Sequence, residues 1–210
     1  MAKIKDCSLY LIITEEYCRG RKAVDIAKAA IAGGVGMIQM REKNRSRDEL
    51  IGLGKQLAAL CKESGAIFIV NDDPALTKEI NADGVHLGQE DLKRFTIAEA
   101  RKILGKNKMV GISTSSLSEV IRANEEDVDY IAFGPVFPTV VKENCVGTKD
   151  VNEVMKVSKK KVFFIGGISL SNMDELIKKG AKAVALIRAV SEADDITAAA
   201  KDIKTRLKKA

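Results

Sequence analysis

Short apolar runs recur along the chain at Leu9–Ile13, Met37–Met40, Ile67–Val70, Gly84–Leu87, Met109–Ser113, Tyr130–Phe133, Val162–Ile165 and Ala183–Ile187. Between them the apolar positions change to a helical period, as in Val24, Ile26, Ala27, Ala30 and Ile31, or in Leu50, Ile51, Leu53, Leu57 and Leu60. A strand with one wet face alternates apolar and polar residues, whereas unbroken apolar runs of four or five suit parallel strands covered on both faces. A strand-then-helix unit repeated eight times predicts an α/β fold, a single closed (β/α)8 TIM barrel over residues 1–210. The rival topology is an open doubly wound sheet. Its dinucleotide fingerprint, Gly-x-Gly-x-x-Gly after the first strand, is missing, and Thr14-Glu15-Glu16 stands in its place.

Punctuation along the chain agrees with that reading. Gly33-Gly34, Asn81, Gly105 and Gly180 supply the left-handed backbone on which helices commonly end before the chain re-enters the sheet. Ser46 with Glu49, and Ser116 with Glu119, have the capping-box form that satisfies orphaned amides at a helix start. Helix exits of similar composition lead into strands at Gly33–Ile38, Ala82–Leu87 and Gly180–Ala185, the internal likeness of a βα repeat. No low-complexity linker or composition break divides the chain, so one domain is expected. The loops that follow strands are polar or rich in Gly and Pro, and chemistry is expected there.

Composition narrows the function classes. With 46% of 210 residues apolar the chain can bury a sizeable core, yet no run approaches the roughly 20 apolar residues of a membrane span. No secretory signal is read at the start, and a cytoplasmic enzyme or small-molecule binding protein is expected. The 35 basic and 29 acidic side chains leave a charge of +6, but they are interspersed. The dense runs Lys159–Lys161 and Lys208-Lys209 sit near predicted helix ends, where cations complement the helix dipole. Six Phe, three Tyr and no Trp, without basic residues interleaved, argue against a nucleic-acid partner. Cys7, Cys18, Cys61 and Cys145 form no Cys-x-x-Cys pair, so a zinc ribbon or disulfide framework is not indicated. His86 is the only histidine, which excludes a His-rich metal site and leaves oxygen ligands for any metal.

Candidate chemistry gathers at the ends of the predicted strands. Strand alternation sends Gln39, Arg41 and Lys43 to one side, the barrel interior, where burying an amide and two cations costs several kcal/mol unless anionic or hydrogen-bonding partners compensate, which argues for an anionic ligand. The competing reading is an outward, solvated strand end. Asp72 follows the third strand and Asp91 the fourth, so two carboxylates from adjacent loops face those cations, the few-ligand oxygen arrangement by which Mg2+ bridges protein and diphosphate. Asp73 before Pro74 reads instead as a helix N-cap. His86, within the fourth strand, reads as a hydrogen-bonded core residue and receives no role. Ser113 ends the fifth strand, and a Pro-flanked loop after the sixth carries Thr139 and Lys142 as a ligand clamp. Gly167, Ile187 and Arg188 mark the ends of strands seven and eight, the recurrent phosphate site of this fold. Two anion sites across one barrel mouth imply two phosphorylated substrates.

In this order Gln39-Met40-Arg41-Glu42-Lys43, Asn71-Asp72, Gly84–Asp91, Gly111–Thr114, Phe133–Thr139 and Ile165–Ile168 make the chain similar to the thiamine phosphate synthase family over nearly its whole length. The resemblance implies that hydroxymethylpyrimidine diphosphate and hydroxyethylthiazole phosphate are joined to give thiamine phosphate and diphosphate, with Mg2+. It implies substrate contacts at Gln39, Met40, Arg41, Glu42, Lys43, Asn71, Ser113, Thr139, Val141, Lys142, Gly167, Ile187 and Arg188, with Mg2+ on Asp72 and Asp91. Arg41, Lys43, Ser113 and Lys142 are the residues it implies for catalysis. The chain departs from the family pattern at Val141, where Thr is usual, at Arg188, where Ser is usual, and at Ser115, where many members have His. The related thiazole tautomerases generally lack the Gly-Gln-Glu-Asp pattern, so Asp91 favours the synthase. A non-catalytic phosphate-binding barrel is the reading from another class.

Overall fold

The computed structural model describes residues 7–94, 96–140 and 145–209. Its strands are β1 (Leu9–Ile13), β2 (Met37–Met40), β3 (Ile67–Asn71), β4 (Gly84–Leu87), β5 (Met109–Thr114), β6 (Tyr130–Phe133), β7 (Lys161–Ile165) and β8 (Val184–Leu186). The helices are α1 (Ala23–Ala32), α2 (Arg47–Ser64), α3 (Pro74–Glu79), α4 (Ile97–Leu104), α5 (Leu117–Ala123), α6 (Val151–Val157), α7 (Met173–Lys178), α8 (Arg188–Ser191) and α9 (Ile196–Leu207). All pairings are parallel and β1 pairs with both β2 and β8, which closes the barrel. Among the described residues no helix is long and apolar enough to cross a membrane.

The two faces of each strand do different work. Leu11, Ile38, Met40, Phe68, Val70, Val85, Ile131 and Phe164 point outward and are buried under the helices. At about 1.5–3 kcal/mol for each large side chain buried, this layer is what keeps the helices on the barrel. Tyr10, Ile12, Met37, Ile69, Tyr130, Phe163 and Ala185 fill the interior as a second, smaller cluster. The interior turns polar toward the ends of the strands, where register places Gln39 beside Ile12, Asn71 beside His86 and Ser113 beside Ala132.

Local signals act as the sequence implies, with two adjustments. Ser46 and Glu49 exchange both bonds of a capping box, Ser46 N–H donating to the Glu49 carboxylate at 2.8 Å. Gly34, Asn81, Gly105 and Gly180 have φ of 99°, 55°, 75° and 90°. Asp73 caps α3, its Oδ1 accepting the Leu76 N–H at 2.8 Å. At α5 only half a box forms: Ser116 accepts the Glu119 N–H, but the Glu119 carboxylate takes the Ser115 N–H at 2.6 Å instead. Of the Lys159–Lys161 run, Lys161 belongs to β7, with its ammonium 5.3 Å from the centre of the Phe163 ring. None of the four cysteines is in a disulfide.

Candidate active site

A cavity of about 900 Å³ opens at the C-terminal end of the strands. From the β2 side it is lined by Gln39, Arg41 and Lys43, then by Asn71 after β3, His86 on β4 and Ser113 on β5. Thr139 and Val140 line it from the loop after β6, Gly167 and Ser169 from the loop after β7, and Ile187 and Arg188 from β8 onward. Nine of the residues implied by sequence are therefore brought into one space, because alternation along eight parallel strands sends every second side chain inward.

Asp72 and Asp91 meet at the rim. Asp72 sits just past β3 with a left-handed φ of 66°, its N–H donating to the His86 carbonyl at 2.8 Å. Asp91 reaches back over its own loop, with Oδ2 accepting the Gly88 N–H at 2.9 Å. The two carboxyls share a hydrogen bond, and Asp72 is pushed up to about 7 by burial first, then by the bond and charge of Asp91, with Arg41 and Lys43 pulling the other way. Two carboxylates this close repel unless a proton or a cation lies between them. Among the described residues no group of three or more His, Cys, Asp or Glu side chains is arranged to hold a metal. A pair of acids beside two cations fits a hard dication that keeps most of its shell for substrate phosphates and water.

Met40 and Glu42, implied as contacts within the same contiguous motif, are not among the residues that line the cavity. Met40 alternates outward into the layer beneath the helices, beside Gly54 of α2. Glu42 turns the other way and accepts the Glu15 N–H at 3.0 and 3.2 Å, while Glu15 pairs with Arg45 at 3.1 Å. Glu42 thus staples the loop after β1 to the loop that carries Arg41 and Lys43. Val141 and Lys142 lie outside the described residues.

The end of the cavity beside β7 and β8 holds a group that sequence reading missed. Arg188 Nε donates to Glu192 at 2.9 Å, and the guanidinium lies 5.5 Å from the centre of the Tyr17 ring. Both Arg188 and Glu192 line the cavity, so a ligand phosphate would compete with a carboxylate for the same guanidinium. The signal available was the i,i+4 spacing of Arg188 and Glu192 across one helical turn. Gly167, with φ of 63°, has its Cα packed against Phe137 and Pro138, where any side chain would collide. His86, read as core, is 6% exposed, stacks on Tyr130 and contacts Ser113 Oγ at 3.0 Å while also lining the cavity.

Residues 9–190 match the family model for thiamine monophosphate synthase. A thiamine-phosphate synthase of Persephonella marina is 42% identical over 193 residues, 91% of each chain, and one of Shouchella clausii is 36% identical over 99% of each chain. The solved structure of a thiamine phosphate pyrophosphorylase from Pyrococcus furiosus superposes with a TM-score of 0.87 at 33% identity, covering 97% of this chain and 96% of that one. With a closed barrel, a two-ended polar cavity and likeness of this extent, the chain is a small-molecule transferase belonging to the thiamine monophosphate synthase family.

Proposed function

We propose that the chain joins hydroxymethylpyrimidine diphosphate to hydroxyethylthiazole phosphate, giving thiamine phosphate and diphosphate, and that the Asp72–Asp91 pair holds Mg2+ for this purpose. The observation that carries the reading is a single cavity with cationic or amide-rich groups at both ends: Arg41 and Lys43 beside the acid pair, and Gly167 with Arg188 opposite. A volume of about 900 Å³ suits two ring-sized ligands bound together.

The chemistry asks little of the protein in proton transfer. The bond between the pyrimidine methylene carbon and the diphosphate oxygen breaks, and its electron pair leaves with diphosphate. The ring amino group donates density to the carbon left behind, and the thiazole nitrogen supplies the pair for the new carbon–nitrogen bond. A bound dication would supply Lewis-acid stabilisation to the departing diphosphate. Arg41 and Lys43 offset charge that grows on the same oxygens, a contribution of the kind that costs about 10²–10³ in rate when one group is removed. Lys142 is assigned the same task by resemblance. Asn71 and Gln39 orient the pyrimidine end, and Gly167, Ile187, Arg188 and Thr139 hold the thiazole phosphate so that its nitrogen faces the methylene carbon. Nothing in this sequence of events requires an enzyme nucleophile, which accords with the single histidine.

Turnover of the two purified substrates with Mg2+, read as thiamine phosphate formed, tests the reading. Product from the unmodified protein, lost in Asp91→Ala and Lys142→Ala, is expected; a folded protein that binds both ligands without forming product contradicts it.

A further inference from the structure

Five polar side chains cross the middle of an otherwise apolar barrel, and of these the reaction above uses only Gln39, at one end. Gln39 Nε2 donates to Tyr10 Oη. Tyr10 Oη lies 3.2 Å from Tyr130 Oη, Tyr130 Oη lies 3.2 Å from His86 Nδ1, and His86 Nε2 lies 3.0 Å from Ser113 Oγ. Tyr10 and Tyr130 are fully buried among Ile12, Met37, Ile69 and Phe163, where TIM-barrel interiors ordinarily carry branched aliphatic residues. The chain even keeps a glycine to admit one of them: a Cβ at Gly111 would overlap the Tyr130 ring.

Donor bookkeeping gives this row a direction. Tyr10 Oη already accepts from Gln39, so its proton goes to Tyr130 Oη, the other group within reach. Tyr130 then gives its proton to His86 Nδ1, which leaves the imidazole proton on Nε2, pointing at Ser113 Oγ. Ser113, having accepted, turns its own proton to the cavity. At the other end Gln39 has committed one of its two amide N–H groups to Tyr10, which fixes the amide so that its carbonyl oxygen, beside the second N–H, faces the cavity as acceptor.

We propose that this row is a fixed-polarity reader of the pyrimidine edge: it commits Gln39 to accept and Ser113 to donate, and Tyr10, Tyr130 and His86 are positioning residues that select a ring offering an amino group beside an acceptor nitrogen. The proposal rests on the function proposed above and adds the origin of selectivity to it. A pyrimidine with an oxo group in place of the amine sets one carbonyl against another at Gln39 and is rejected. The same commitment protects the chemistry, because only the amino ring pushes density toward the methylene carbon.

His86 being the only histidine, the 15N-labelled protein gives a single imidazole pattern, and the tautomer is read without assignment. The Nε2–H neutral form at pH 7 is expected in the unliganded full chain. Tyr130→Phe keeps the ring and removes the link, so the tautomers mix, and the preference in kcat/KM for the aminopyrimidine diphosphate over its oxo analogue falls about tenfold, one hydrogen bond's worth. An Nδ1–H or imidazolium form in the unmodified protein overturns the proposal, since the row would then run the other way with the Gln39 amide reversed. A folded Tyr130→Phe with unchanged discrimination overturns it too. If Tyr130→Phe does not fold, the tautomer of the unmodified protein decides. Absence of thiamine phosphate formation by the unmodified protein is a separate result, which defeats the function on which the proposal rests.

Discussion

Replacing Asp72 by Asn removes one member of the acid pair while keeping its shape and hydrogen-bonding reach. Asn also tolerates the left-handed backbone at φ 66° at least as well as Asp, so no conformational penalty enters. In the folded protein the Asp72 carboxyl is raised from 3.8 to about 7 by burial and by Asp91, so folding favours its protonated form. The stability tied to that proton is present below pH 3.8 and is lost as pH rises through about 7. At roughly 1.4 kcal/mol per unit the full linkage would be about 4 kcal/mol, and exposure of the rim to water and salt reduces it to about 1–2 kcal/mol. Asp72→Asn is therefore expected to stabilise the metal-free protein at pH 8 by that amount, about 2–8 °C in Tm for a chain of this size. It should also flatten the dependence of Tm on pH between 4 and 8 and abolish the stabilisation of the parent by Mg2+. Turnover should fall at least about 100-fold, because the gain in stability comes from discarding the group that holds charge for the reaction. Differential scanning fluorimetry at pH 5 and pH 8, in chelator and in Mg2+, with parallel product assays, reads all of these. A variant no more stable than the parent at pH 8 in chelator, with Mg2+ raising Tm equally in both, would refute the reasoning.

Two further outcomes follow from other parts of the barrel. Arg188→Ser should raise the KM for the thiazole phosphate about tenfold while sparing the KM for the pyrimidine diphosphate, since it removes one charge-assisted contact now shared with Glu192; equal effects on both constants in steady-state kinetics would contradict that placement. Gly111→Ala forces a methyl group into the Tyr130 ring and should cost about 1–3 kcal/mol or more in urea unfolding, the range for overpacked cores; an unchanged midpoint would mean that the ring moves freely.

The barrel was legible because its strands are buried on both faces. Continuous apolar runs mark β1, β2, β4 and β6 to the residue, and β3, β5, β7 and β8 to within one residue at either end. The site was legible where polar residues sit at alternate positions of such a run, as with Gln39, Arg41 and Lys43. At Met40 and Glu42 a contiguous motif hides the alternation that sends the intervening side chains elsewhere. Tyr10 and Tyr130 escaped for the opposite reason: inside an apolar run a phenol reads as core, and its hydroxyl declares itself only when a partner from another strand is known. His86 read as a bonded core residue and is one, yet the same ring reaches the cavity through Ser113. Thr96 and Glu99 form a full capping box at α4 that the sequence spelled as plainly as Ser46 and Glu49.

That one rim of the barrel gathers two basic side chains and two acids around a departing diphosphate is tested most directly by a crystal grown with Mn2+ and inorganic diphosphate. Anomalous density between Asp72 and Asp91, with diphosphate oxygens on that ion and against Arg41 and Lys43, is the expected result. Diphosphate seated only at Gly167 and Arg188, with no manganese at the acid pair, would contradict it.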